Sequence, residues 1–206
     1  MTDQAKKFIA VAGNVGVGKS SLTQLFSQEL GWEPFYEAVE DNPYLADFYQ
    51  DMRQWSFHSQ IFFLSRRLRH HRRILNHPTT AVQDRCVYED AEIFARNLYR
   101  QGHMVERDYR SYRELYEVLT EFLPPPDLVI YLQASVPTLL KRIALRGRDF
   151  ERSISPAYLE QLNELYDQWA TNFDLSPMLI VPSDDLDFVK YPQHLRLIID
   201  KTLEKL

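Results

Sequence analysis

A chain of 206 residues with 45% hydrophobic residues is long enough for one substantial core, so a single domain spanning 1–206 is the default expectation. Its apolar runs fall far short of the roughly 20 residues a bilayer span needs, and a net charge of −5 argues against general nucleic-acid affinity, which rests on broad phosphate neutralisation. The one cysteine, Cys86, can form no intrachain disulfide, and Met1–Lys7 leads into a strand-like run without a signal peptide's apolar region, so the expected compartment is the cytoplasm.

The first expected element is a strand over Lys7–Ala12. It runs into Gly13-Asn14-Val15-Gly16-Val17-Gly18-Lys19-Ser20, which fits G-x-x-x-x-G-K-[ST], and from Ser21 onward a helical apolar period begins. Strand, glycine loop and helix N-terminus together make an anion cradle. The glycines let backbone N–H groups approach phosphates, Lys19 reaches the β and γ phosphates, and the Ser20 hydroxyl is placed for Mg²⁺.

Further strands are expected at Glu33–Val39, Thr80–Asp84, Leu128–Gln133 and Met178–Pro182, with helical patterns between them. That alternation predicts an α/β fold of P-loop type: a five-stranded parallel sheet with helices on both faces. Pro43 through Leu75 predicts one long helix. Its segment Arg66–Arg73 is strongly basic and reads as a solvated face with one arginine turned inward. Ala91 through Phe122 predicts a second long helix broken near Gly102, and Pro124–Pro126 stops it. Two such helices commonly supply a dimer surface, so a homodimer is expected.

Ligands in parallel sheets bind beyond the carboxyl ends of the strands. Glu37 lies at such an end and is a candidate to take a proton from an acceptor hydroxyl. Asp84-Arg85 ends another strand beside the glycine loop, where the acid can meet Mg²⁺ and the arginine an anion. Arg142, Arg146 and Arg148 cluster around Gly147 and suggest an arginine lid, around 142–153, closing over phosphates. In Trp55–Leu64, aromatic residues accompany Gln60, whose amide offers a donor and an acceptor to a nucleobase edge.

Together these segments resemble the deoxynucleoside kinase family, nearest its bacterial deoxyadenosine/deoxycytidine branch. The resemblance rests on G-N-V-G-V-G-K-S at Gly13–Ser20, E-A-V-E-D-N-P-Y-L at Glu37–Leu45, W-S-F-H-S-Q at Trp55–Gln60, Q-D-R-C-V-Y-E-D at Gln83–Asp90, I-Y-L-Q-A at Ile130–Ala134 and R-I-A-L-R-G-R at Arg142–Arg148. It implies ATP with Mg²⁺ as donor and a deoxynucleoside 5′-hydroxyl as acceptor. By it Glu37 is the base, Arg85 holds the 5′ oxygen and transferring phosphate, and Asp84 lies near the metal with Ser20. Tyr49 and Glu151 contact the 3′-hydroxyl; Gln60, Arg67 and Asp90 read the base edge, and Phe94 stacks on it. Arg142, Arg146 and Arg148 form the lid, and Asp187-Phe188 lies by the adenine of ATP. The loop residues Gly13, Asn14, Val15, Gly16, Val17, Gly18, Lys19 and Ser20, with Ser21, hold its phosphates. Three positions depart from the family pattern: Ala38 stands where proline is frequent, Asp84 where glutamate is frequent, and Ser59 where some members carry phenylalanine.

Asp90 and Arg67 present an acceptor and donors that suit the amino group and ring nitrogen shared by adenine and cytosine. Deoxyguanosine is the alternative acceptor. A guanine-reading switch would need Asn-Lys-x-Asp, which does not occur, and a motor would want paired acids at a strand end where this chain has Asp84-Arg85. A nucleoside monophosphate kinase would need extra cations on the acceptor side, where this chain places Glu37.

Overall fold

The computed structural model describes residues 5–37, 41–151 and 154–206. Five strands run parallel in one sheet: β1 (Phe8–Gly13), β2 (Glu33–Phe35), β3 (Ala81–Asp84), β4 (Leu128–Gln133) and β5 (Met178–Pro182), in the spatial order β2-β3-β1-β4-β5. The central strand β1 is buried at every position, which explains why it reads as an uninterrupted apolar run and not as an alternation. Its side chains still alternate between faces. Phe8, Ala10 and Ala12 join Val129 and Tyr131 in one core, while Ile9 and Val11 join Val82, Leu128 and Ile130 in the other.

The crossover helices cover both faces. On one side α1 (Lys19–Leu30) packs against β1, β2 and β3, and α9 (Pro192–Lys205) against β5. On the other lie α3 (Met52–Leu75) and α6 (Glu106–Thr120), which pack together, and α8 (Pro156–Asn172), which meets α7 (Val136–Arg146). Helix α1 ends where Gly31 takes a left-handed conformation, φ +69°, and returns its N–H to the Ser27 carbonyl.

Three expectations about element boundaries change. The expected helix from Pro43 to Leu75 is two: α2 (Leu45–Gln50) and α3, separated by Asp51, whose carboxylate accepts from the Gln54 N–H and caps α3. An aspartate that can satisfy an orphan donor this way favours a new helix start over continuation. The second strand ends at Phe35, leaving Tyr36 and Glu37 beyond it; the remainder of the expected Glu33–Val39 strand, with Ala38, lies outside the described residues. The run after β3 is not a plain α-helix. A short α4 (Val87–Glu89) passes into a π-helical turn, Asp90–Ala95, before α5 (Arg96–Arg100). The break near Gly102 falls where the sequence predicts it, between α5 and α6.

Candidate active site

The carboxyl ends of β1, β2 and β3 open onto a cavity of about 950 Å³. Its donor end is the glycine loop between β1 and α1. Gly13 sits at φ +142°, where an added Cβ would lie 2.6 Å from the Leu132 carbonyl oxygen, so no other residue fits. Gly18, at φ +111°, is covered by the Phe188 ring, whose Cζ would stand only 3.0 Å from a Cβ added there. Lys19 folds back over this loop, its Nζ 2.9 Å from the Gly13 carbonyl and 3.1 Å from that of Asn14. Burial, helped by the neighbouring Arg85 charge, pulls its ammonium down to about 8.

At the acceptor end the charges alternate in sign. Glu37 Oε1 meets Arg67 Nη2 and Arg85 Nε, each at 2.9 Å. Arg67 grips Asp90 with two nitrogens, Nε to Oδ2 at 3.0 Å and Nη2 to Oδ1 at 3.1 Å, and reaches the Asp84 carbonyl with Nη1 at 3.3 Å. Arg85 turns its Nη1 to the Tyr166 hydroxyl at 2.8 Å and lies 3.4 Å from Glu89 Oε1. Its guanidinium also covers the Phe94 ring, 4.4 Å from the centroid. Burial alone would raise the Glu37 carboxyl, but Arg85, Arg67 and Lys19 outweigh it and hold it well below the usual carboxylate range. Asp90 goes the other way: burial pushes it up against the pull of Arg67.

Arg85 is the only non-glycine residue with positive φ among the described residues, at +67°. That conformation costs roughly 1–3 kcal/mol and persists where surrounding contacts enforce it. The strained turn separates the jobs of neighbouring side chains, sending Arg85 toward Glu37 and leaving Asp84 at the phosphate loop.

The metal-binding expectation is tested by Asp84 itself. Its Oδ2 accepts from the Ser20 hydroxyl, while Oδ1 is buried without a hydrogen-bond partner among the described residues. A buried carboxylate oxygen with an unused lone pair beside a hydroxyl fits a hard divalent cation. Burial raises the Asp84 carboxyl despite Lys19.

Most sequence-predicted residues line this one cavity. Val15, Gly16, Val17, Gly18, Lys19, Ser20 and Ser21 do so from the loop, Glu37, Tyr49, Gln60, Asp84, Arg85, Asp90 and Phe94 from the acceptor side, and Arg142, Arg146, Arg148, Glu151, Asp187 and Phe188 around the mouth. Three do not. Gly13 gives its N–H to Glu89 Oε1 at 3.1 Å, and Asn14 turns its amide to the Leu159 carbonyl and Asn163, so both brace the loop from behind. Arg67 stands behind Asp90 and Glu37, with its guanidinium engaged by both carboxylates in this arrangement.

The arginines of the expected lid are engaged as well. Arg142 donates to the Val17 and Ser183 carbonyls at 2.8 and 2.6 Å, which ties α7 to the glycine loop and withholds this guanidinium from phosphates in this arrangement. Arg146 binds Glu151 through Nε and Nη2, and Arg148 lies 3.7 Å from the same carboxylate. The part of the lid at residues 152–153 falls outside the described residues.

Sequence reasoning missed several residues here. Phe63 lines the cavity one helical turn after Gln60, a spacing that puts it on the same face of α3. Tyr158 of α8 lines it too, partly buried against the core, and burial pushes its hydroxyl up to about 12. Glu89, with no exposed surface, had no positional signal, because it sits inside a helix beside the more conspicuous Asp90.

The geometry joins a phosphate-binding type of loop to a pocket whose far end holds a carboxylate between two arginines, and three comparisons bear on that pairing. Residues 9–206 match the model of the deoxynucleoside kinase family. The deoxyadenosine/deoxycytidine kinase of Bacillus subtilis is 40% identical over 195 residues, covering 94% of this chain and 90% of that protein. The deoxyguanosine kinase of the same organism is 37% identical over 186 residues, 88% of this chain and 89% of its own length. The structure of a deoxyadenosine kinase from M. mycoides with bound dATP superimposes with a TM-score of 0.84 at 33% identity, covering 95% of this chain and 98% of that one. With the family model matching residues 9–206 and relatives 37–40% identical over most of its length, the chain belongs to the deoxynucleoside kinase family.

Proposed function

We propose that this chain transfers the γ-phosphoryl group of ATP to the 5′-hydroxyl of a deoxynucleoside, with deoxyadenosine and deoxycytidine as its acceptors. The observation that carries this reading is the Glu37 carboxylate held ionised between Arg85 and Arg67, in one cavity with the glycine loop. Phosphoryl transfer asks mainly for positioning and for charge stabilisation at the transferring group. Lys19 and Arg85 supply cations on either side of that group, and Glu37 orients the hydroxyl and takes its proton. Ser20 and Asp84 would hold Mg²⁺, which neutralises phosphate charge when bound. Arg146 and Arg148 reach phosphate by leaving Glu151, which frees that carboxylate for the sugar's 3′-hydroxyl beside Tyr49.

Base choice rests on Gln60 and Asp90. The Gln60 Oε1 is buried and lacks a hydrogen-bond partner among the described residues, so it favours a base that brings a donor. Adenine and cytosine both carry an exocyclic amino group beside a ring acceptor. The relatives include kinases of either base type, which makes deoxyguanosine the second reading. Leu115, Val118 and Phe122 share an exposed apolar face at spacings of three and four on and just beyond α6, which supports a helix-mediated homodimer. The single buried cysteine fits a cytoplasmic setting. No helix among the described residues is long and apolar enough to cross a membrane.

The test is ADP formation from ATP with each of deoxyadenosine, deoxycytidine, deoxyguanosine and thymidine, with and without Mg²⁺. Turnover that needs both metal and nucleoside, highest with deoxyadenosine or deoxycytidine, is expected. ATP consumption independent of any nucleoside would overturn the reading. Sedimentation of the full chain checks the dimer, and cell fractionation the compartment.

A further inference from the structure

Glu89 is fully buried, yet its carboxylate gathers donors from three separate parts of the fold. Its two oxygens have different partners. Oε2 accepts from the Cys86 N–H at 2.8 Å and closes a capping box at the start of α4, a local folding role. Oε1 faces the other way, accepting from the Gly13 N–H at 3.1 Å and the Tyr166 hydroxyl at 2.7 Å, 3.4 Å from Arg85 Nη1. The Tyr166 hydroxyl also lies 2.9 Å from the Gly13 carbonyl oxygen and accepts from Arg85 Nη1 at 2.8 Å.

Helix capping accounts for Oε2 and leaves these Oε1 contacts unexplained. They join the first glycine of the phosphate loop to the strained Arg85 turn, the two ends between which the transferring group must be placed. A non-glycine residue in the left-handed region is retained where its neighbours hold it, and here the holding groups are Glu89 and Tyr166 behind Arg85 and Glu37 in front. Neither Glu89 nor Tyr166 lines the cavity.

We propose that Glu89 Oε1 and the Tyr166 hydroxyl form a positioning pair that fixes the Arg85 guanidinium relative to Gly13, holding donor and acceptor halves in one register. The role rests on the reading of Glu37 and Arg85 as the acceptor end of a deoxynucleoside kinase. The pair acts through Arg85 and the loop backbone, and its value lies in the steep dependence of transfer on the placement of reacting groups. Acceptor recognition by Gln60 and Asp90 lies outside it.

The experiment compares the full chain with Tyr166→Phe, Glu89→Gln and the double variant, measuring kcat, the KM of each substrate and Tm. Tyr166→Phe is the cleanest because the ring keeps its packing, stacked on Tyr131 at 5.6 Å and edge-on to Phe94 at 6.4 Å. Loss of one oriented bond to a charged group should lower kcat roughly tenfold to a hundredfold while the deoxynucleoside KM stays within about twofold. The double variant should fall no more than about threefold below Glu89→Gln, because the two groups act as one unit. A Tyr166→Phe enzyme turning over at the wild-type rate, whatever its Tm, overturns the positioning role, and so do penalties that multiply in the double variant. Should Glu89→Gln fail to fold, Tyr166→Phe decides alone. A wild-type chain that phosphorylates no deoxynucleoside removes the acceptor reading and this role with it; an active wild type with an unaffected Tyr166→Phe removes only the pair.

Discussion

Replacing Glu37 by glutamine separates a chemical role from a structural one, because the change keeps shape and removes charge. General acid–base groups contribute about 10²–10⁴ in rate, so at 1.36 kcal/mol per tenfold the barrier should rise by about 3–5 kcal/mol. The cost in stability should be much smaller. A buried ion pair broken so as to strand its partner costs about 3–5 kcal/mol, but neither arginine is stranded here. Arg67 retains both oxygens of Asp90, and Arg85 retains Tyr166 and Glu89. The glutamine carbonyl can still accept from one of them, so a loss of about 1 kcal/mol or less is expected. The assay pairs kcat at saturating ATP with calorimetric Kd for the nucleoside and denaturant unfolding. A kcat depressed by at least a hundredfold, with Kd within a few-fold, is the expected result. Turnover within tenfold of wild type refutes the base assignment, and parallel collapse of kcat, Kd and stability would show that Glu37 organises the arginines instead.

The pH profile follows from the same carboxylate. Arg85, Arg67 and Lys19 hold Glu37 well below its ordinary range against the opposing effect of burial, so kcat/KM should show no acid limb from this group between about pH 5.5 and 8; an apparent pKa near 6 that vanishes in Glu37→Gln would contradict this. Gly13→Ala should abolish ATP binding and lower stability by more than the roughly 1–2 kcal/mol of left-handed backbone alone, because the new Cβ meets backbone at 2.6 Å; Gly31→Ala, with open space around its Cβ, should cost only the backbone share. Chemical denaturation and ATP titration of the two variants check the contrast. His71 is buried, and burial lowers its pKa despite the hydrogen bond between Nε2 and the Pro124 carbonyl. Its folded value lies below its unfolded one, so the stability it contributes is present above about pH 6.5 and is lost as pH falls. Denaturant unfolding at pH 7.5 and 5.5 should show this loss, and His71→Asn should reduce the slope.

The sheet was legible because β1 and β4, buried on both faces, leave continuous apolar runs, and the edge strand β5 stays apolar although its positions alternate between buried and exposed; β4 and β5 end where their apolar runs end. What periodicity could not supply was competition between equally good local solutions. Nothing in the apolar pattern distinguishes continuation through Asp51 from a restart at it, because the choice depends on whether its carboxylate finds the Gln54 N–H. The π turn after Glu89 is similarly silent, since a widened turn uses the same helix-forming residues as an ordinary one. That the strand-end residues Glu37, Asp84 and Arg85 share one cavity was legible because topology assigns them one edge of the sheet. Glu89 and Tyr166, 77 positions apart in sequence, and Tyr158 were not, because helices carry them to that edge from distant parts of the chain with no periodic signal that marks them.

On the proposed reading of Glu37 as the base, the alternating charges explain how one carboxylate can be both reliably ionised and useful in that role. A Glu37 stabilised by two arginines is a weak proton acceptor while both contacts stand, since each lowers its affinity for a proton. Phosphoryl transfer through a loose transition state needs little proton removal until bond formation is advanced, so a base that orients the hydroxyl first and becomes more basic later suits the reaction. On the same reading, an incoming hydroxyl that displaced one arginine contact would produce that change. Asp90 on one side and Glu89 with Tyr166 on the other give each arginine a partner to retain when Glu37 turns to the substrate. Without those outer partners, releasing Glu37 would strand a buried guanidinium at a cost of about 3–5 kcal/mol, which would be added to the barrier. If Glu37 is the base we propose, the flanking carboxylates lower the energy of the step in which the acceptor hydroxyl enters.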